Sequence, residues 1–165
     1  MRDLMRPKFF AALLAGLLVV VFAADAMARC LPGQVDLRGP WGTARFSVEI
    51  ADTPETRNQG LMFRENMPRF AGMLFIYQAP QSASFWMRNT LIPLDMLFVD
   101  AAGEVTRIHH DAVPLDETPI FGGDDVLMVL EINGGMARRL GITEGTALRH
   151  ARVPQAGALW PCDAE

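Results

Sequence analysis

The chain has 165 residues, 15 of them basic and 19 acidic, for a formal net charge of −4. That length is one domain's worth. The acidic balance argues against a nucleic-acid partner, whose binding is dominated by phosphate neutralisation.

Residues 1–28 read as a signal peptide. Arg2, Arg6 and Lys8 precede an apolar run over 9–24, and Ala26-Met27-Ala28 fits the small-x-small cleavage rule. The run falls short of the roughly 18 residues that a spanning helix needs, so cleavage after Ala28 is expected. Arg29 before Cys30 argues against a lipoprotein cleavage box. The expectation is an exported protein, periplasmic in a Gram-negative host, with no membrane association after cleavage. Removing 1–28 lowers the 15 basic and 19 acidic residues to 12 and 17, and every remaining cation is arginine.

Residues 29–42 read as an irregular lead-in, punctuated by Pro32, Gly33, Gly39, Pro40 and Gly42. A single globular domain is expected over 43–153, with 154–165 as a C-terminal tail. Over 43–51, Phe46, Val48 and Ile50 alternate with Arg45, Ser47 and Glu49, which predicts a half-buried strand. Thr53-Pro54-Glu55 opens a short helix that ends near Gly60. GMLFIY (72–77) predicts a buried strand, 80–82 a turn, and 85–88 further extended chain. Segments 95–99 and 105–110 flank Ala101-Ala102-Gly103 as a hairpin. A loop with Pro114, Pro119, Gly122 and Gly123 leads to a strong strand over 126–132. Residues 135–140 predict a short helix with a Schellman stop at Gly141-Ile142, and 147–153 a last strand. The sum is an α+β, β-rich fold: a compact, mostly antiparallel sheet or barrel-like domain with two short helices.

Cys30 and Cys162 stand near the two ends of the mature chain. In an oxidising compartment they are expected to pair, since chain termini often lie close together.

Elimination narrows the chemistry. Without lysine the mature chain has no side-chain amine for Schiff-base catalysis. Paired cysteines leave no thiolate, and Ser47, Ser82 and Ser84 lie in no G-x-S-x-G elbow. No glycine loop cradles phosphate. His109 and His110 are neighbours on a strand and point to opposite faces, and no metal-type spacing occurs. Methionines on apolar segments read as core filling. No metal and no cofactor are expected.

Polar residues set among apolar ones are more telling. Trp86 and Arg88 share a strand face, where the guanidinium can stack on the ring or hold an anion; the plainer alternative is a core tryptophan with Arg88 reaching solvent. Asn89 and Thr90 suit a turn or a ligand equally. Asp95 and Glu131 are carboxylates inside apolar strands, and a buried carboxylate wants a partner. Arg57, Arg64 and Arg88 are the candidates for Asp95.

The stretches RNQGLMFRENM (57–67), GMLFIY, FWMRNTLIPLD (85–95) and VLEINGG (130–135 with its preceding valine at 129) together resemble the domain of unknown function 192 family, small prokaryotic proteins that are often exported. The resemblance spans about 44–153. It marks Arg57, Gly60, Met62, Arg64, Met73, Phe75, Trp86, Met87, Asn89, Thr90, Pro93, Asp95, Glu131 and Gly135 as motif positions, with arginine at 88 where the family commonly has lysine. It implies no activity.

Three readings follow. In the leading one, a binding or accessory module holds a small polar or anionic ligand, or a glycan or peptide segment, through Arg57, Arg64, Trp86, Arg88, Asn89, Thr90 and Asp95. In the second, Asp95 and Glu131 are the catalytic pair of an acid–base hydrolase, which requires them to share a pocket. In the third, the motif serves folding, and a protein or other envelope component docks on the surface.

Overall fold

The structure is a computed structural model that describes residues 30–164; the expected signal peptide lies outside the described residues. Among these, seven strands form one sheet: β1 (Gln34–Gly39), β2 (Gly42–Ala51), β3 (Ala71–Phe85), β4 (Leu94–Val99), β5 (Val105–Ala112), β6 (Ile120–Asn133) and β7 (Ala147–Arg149). Helix α1 (Pro54–Gln59) lies between β2 and β3, and α2 (Met136–Leu140) between β6 and β7. The spatial order is β5-β4-β6-β3-β2-β1-β7, antiparallel throughout except for the parallel β2–β3 pair. A bridge from Glu104 to Ala147 draws the two outer strands together. The sheet therefore curls into a half-barrel, the β-rich and mostly antiparallel architecture that the sequence predicts.

Burial explains the hydrophobic patterns. β2 alternates because its polar residues face water, with Phe46 and Val48 buried inside. β3, β4 and β6 read as continuous apolar runs because both of their faces are covered. One face, with Leu74, Leu97, Leu130 and Ile132, joins β1 and β2 in the main core. The other, with Met73, Phe75, Met96, Phe98 and Val129, packs against Leu61, Met87 and Ile92 from the connections around it.

Local signals close both helices. The Thr53 hydroxyl accepts from Thr56 N while the Thr56 hydroxyl accepts from Thr53 N, a reciprocal cap on α1. At the end of α2, Gly141 has φ +76, Ile142 N donates to Ala137 O, and Gly141 N donates to Arg138 O. That is the Schellman arrangement read from the sequence.

Several boundaries need correction. The expected irregular lead-in contains β1, whose Val35 and Leu37 are fully buried between β2 and β7. Its flanking glycines and prolines mark the start of the strand and a tight β1–β2 hairpin rather than an unstructured segment. The turn expected at 80–82 is an irregularity within β3, where the register against β6 shifts around Gln81. The last strand is shorter than expected. The C-terminal tail is no loose end: Trp160 is buried under the Arg149 guanidinium, 4.0 Å from its ring centroid. Cys30 and Cys162 are joined by a disulfide across a sequence separation of 132.

Candidate functional site

The covered outer face of β3 and β6 does not pack completely. A cavity of about 580 Å³ opens there, between α1, β3, β6 and the segment after β3. At its base lies Glu131, 4% exposed. Register explains its surroundings. Glu131 pairs with Met73 on one side and Met96 on the other, and paired residues project from the same sheet face. Both neighbours are buried thioethers and offer no strong donor. Among the described residues no hydrogen-bond partner for the Glu131 carboxyl is found. Burial pushes its pKa up to about 8, so this carboxyl holds a proton at neutral pH.

Aromatic residues form the walls. Phe75 and Tyr77 follow Met73 at alternate positions on β3, and Phe85 packs edge-on against Phe75, 5.1 Å between centroids. Burial likewise raises the Tyr77 phenol, with Arg57 acting against that rise. Gly60 ends α1 at φ +49, and a Cβ there would stand 3.3 Å from the Phe75 ring. A glycine thus lets the helix end close over the aromatic wall.

Five of the residues singled out in the sequence, Arg57, Trp86, Arg88, Asn89 and Thr90, line the cavity around Glu131. Trp86 is 48% exposed, and the Arg88 guanidinium lies 5.7 Å from its ring centroid, so the stacked reading holds and the core reading does not. Arg57 also lines the cavity. Its Nη1 donates to the carbonyls of Asp52 and Ile76, and its guanidinium rides 5.4 Å over Tyr77. Asn89 has φ +54, and its side-chain amide approaches Met62 Sδ. Thr90 is buried, with its hydroxyl donating to Arg88 O. Phe63 and Leu115 also have positive φ and are tied by their backbone amides to Asn89 O and Thr90 O. Three non-glycine residues in the left-handed region therefore bracket one wall. Such strain is kept only where the surroundings enforce it, and it concentrates at functional sites.

Two sequence candidates lie elsewhere. Arg64 does not line the cavity; it makes a two-pronged pair with Glu49 at 2.6 Å on the surface. Asp95 is fully buried and, among the described residues, has no arginine partner. Its Oδ1 accepts from Asp111 N and Gly135 N, and its Oδ2 from Ala137 N at 2.7 Å. Asp95 thus holds the first turn of α2 from the neighbouring strand, a structural role. The hydrolase pairing is overturned by register. Asp95 pairs with Ile132, one residue beyond Glu131, so the two carboxyls project from opposite faces of the sheet. They share no pocket.

Sequence reasoning missed Tyr77 and Phe85 as wall residues, together with the α1 side chains Asn58 and Gln59. Alternation from Met73 carries Phe75 and Tyr77 onto one face. Only the β3–β6 register shows that this is the face of Glu131.

Fold and site together define a curled β-domain with a blind, acid-floored, aromatic-walled cavity on one side of its sheet. The chain belongs to the domain of unknown function 192 family, described as "Uncharacterized ACR", whose model matches residues 37–150. It is similar to a solved protein of unknown function from Novosphingobium aromaticivorans DSM 12444, at 45% identity and a TM-score of 0.68, over 70% of this chain and 82% of that one. It is also similar to a candidate transcription regulator from Sinorhizobium meliloti 1021, at 40% identity and a TM-score of 0.69, over 73% of this chain and 94% of that one. No curated protein matches.

Proposed function

We propose that this domain is an exported binding module that holds a small polar ligand in the cavity above Glu131. The observation that carries the reading is the Glu131 carboxyl itself: 4% exposed, without a hydrogen-bond partner among the described residues, and opening into a space of about 580 Å³. A buried polar group left unsatisfied costs roughly 1–3 kcal/mol. Such a group is kept where water or a ligand entering the cavity satisfies it. The volume falls within the range usual for small-molecule sites, and the aromatic wall stands beside many polar groups, which suits a polar ligand. Trp86 and Arg88 supply an exposed platform at the entrance, and Asn89 a held amide beside it. The disulfide fits an oxidising compartment, and no helix among the described residues is long and apolar enough to cross a membrane. The regulator description of the Sinorhizobium relative is not carried over, because a net charge of −4 gives poor purchase on phosphates.

Thermal unfolding tests the reading. Fractions of a low-molecular-weight extract from the source cells are added to the purified protein and to Trp86→Ala. A ligand at about 100 times its Kd adds about 2.7 kcal/mol, a rise of several degrees in Tm. At least one fraction should raise the wild-type Tm and leave Trp86→Ala unmoved. Equal shifts in both proteins, or none in either, overturn the proposal.

A further inference from the structure

The charges around the cavity constrain the ligand beyond its being small and polar. Among the described residues, four lining side chains are charged or titratable: Glu131 at the base, Tyr77 on the wall, and Arg57 and Arg88 toward α1 and the mouth. Glu131 lines the cavity together with Phe75 and Tyr77, and its strand neighbours on the same face are the thioethers Met73 and Met96. Close to the sheet these surroundings are largely apolar, and the Tyr77 phenol is the polar group among them. An ammonium group placed there gains a carboxylate and aromatic faces together, the two features that favour a desolvated cation. A ligand that is only a cation, however, must pass two arginines. A ligand that is only an anion satisfies those arginines but leaves the base of the cavity unpaired. Arg57 is already committed through Nη1 to two carbonyls. Arg88 is exposed and, among the described residues, held against Trp86 alone, so its fork is available to a carboxylate.

We infer that the cavity takes a small zwitterionic amine of the amino-acid type, its ammonium against the Glu131 carboxylate and its carboxylate against the Arg88 guanidinium. The inference rests on the binding reading above and deepens it. Binding carries a proton balance: Glu131 gives up its proton to solvent, and the ligand ammonium replaces it as the counter-charge. Affinity therefore rises with pH until the carboxyl of the unliganded protein is itself ionised, near about 8.

Titration calorimetry on the full mature chain tests this with chemically simple probes. The ω-amino acids from 3-aminopropanoate to 6-aminohexanoate are compared with the diamines, dicarboxylates and diols of the same lengths. One or more ω-amino acids should bind at least about tenfold more tightly than any probe of the other three classes. That affinity should rise severalfold from about pH 6 to about pH 8, with net proton release. Glu131→Gln and the surface variant Arg88→Gln should each weaken it by about tenfold or more, a loss of about 1.4 kcal/mol. A diol or dicarboxylate that binds best overturns the charge assignment while leaving the cavity as a binding site. The same follows if affinity falls with rising pH, or if both variants bind ω-amino acids as the wild type does. Failure of every probe overturns the zwitterion assignment, whereas the Tm shift by extract fractions judges the binding reading separately.

Discussion

Glu131→Gln removes a buried carboxyl whose ionisation opposes the fold. Burial raises its pKa from an ordinary 4.5 to about 8 in the folded chain. The sign follows from linkage. Between those values the folded chain keeps a proton that the unfolded chain has released, so stability falls as pH rises. Below about 4.5 both states are protonated and there is no penalty; above about 8 both are ionised and the penalty is complete. Each pH unit crossed costs about 1.4 kcal/mol, which accumulates to roughly 5 kcal/mol over the whole interval and a few kcal/mol at neutral pH. Glutamine has nearly the same shape and carries no proton to lose. The assay is urea unfolding of wild type and Glu131→Gln at intervals from about pH 5 to about pH 9, with oxidised protein throughout. Wild type and variant should be nearly equal in stability at the acid end, and the variant should be more stable by several kcal/mol at the alkaline end. Two parallel profiles would refute the reasoning, because they would mean that Glu131 titrates alike in folded and unfolded chains.

Asp95→Asn places an amide donor against backbone donors where Asp95 now accepts from Asp111, Gly135 and Ala137. A loss of about 3 kcal/mol in urea unfolding is expected, with ligand affinity of the folded fraction unchanged. A fully stable variant would contradict the structural role. Cys162→Ser opens a loop with a sequence separation of 132, and chain entropy alone puts the cost at about 5 kcal/mol. The urea midpoint measures it, and an unchanged midpoint would show that the disulfide does not constrain the unfolded chain. Gly72→Ala drives a Cβ into the Glu131 carbonyl oxygen on the paired strand. It should cost about 1–3 kcal/mol and disturb the base of the cavity, seen as weaker ligand binding at temperatures where the variant is folded. A neutral result would contradict the close β3–β6 approach.

How much could be read in advance depended on distance along the chain. Both helices announced themselves, because Thr53-Pro54-Glu55 and Gly141-Ile142 act within a turn of their own backbone. The runs of β3 and β6 were visible as apolar segments, and Glu131 stood out as a carboxylate inside one of them. β1 was hidden because Val35 and Leu37 sit between glycines and prolines that read equally well as loop, and one of its two partner strands, β7, lies far ahead in sequence. The error over Asp95 had the same origin. Its partners are backbone amides, which look alike in every sequence, so side-chain reasoning assigned it an arginine. The separation of Asp95 from Glu131 turns on one step of register between β4 and β6, and no local pattern carries that step. Tyr77 and Phe85 joined the site only through the fold.

Native mass spectrometry of the protein purified gently from its own cells tests the binding site most directly. A stoichiometric small-molecule adduct is expected on the wild type, kept by Asp95→Asn and lost in Arg88→Gln and Trp86→Ala. A bare wild-type protein, or an adduct that survives both mouth substitutions, would contradict the assignment of the Glu131 cavity as the ligand site.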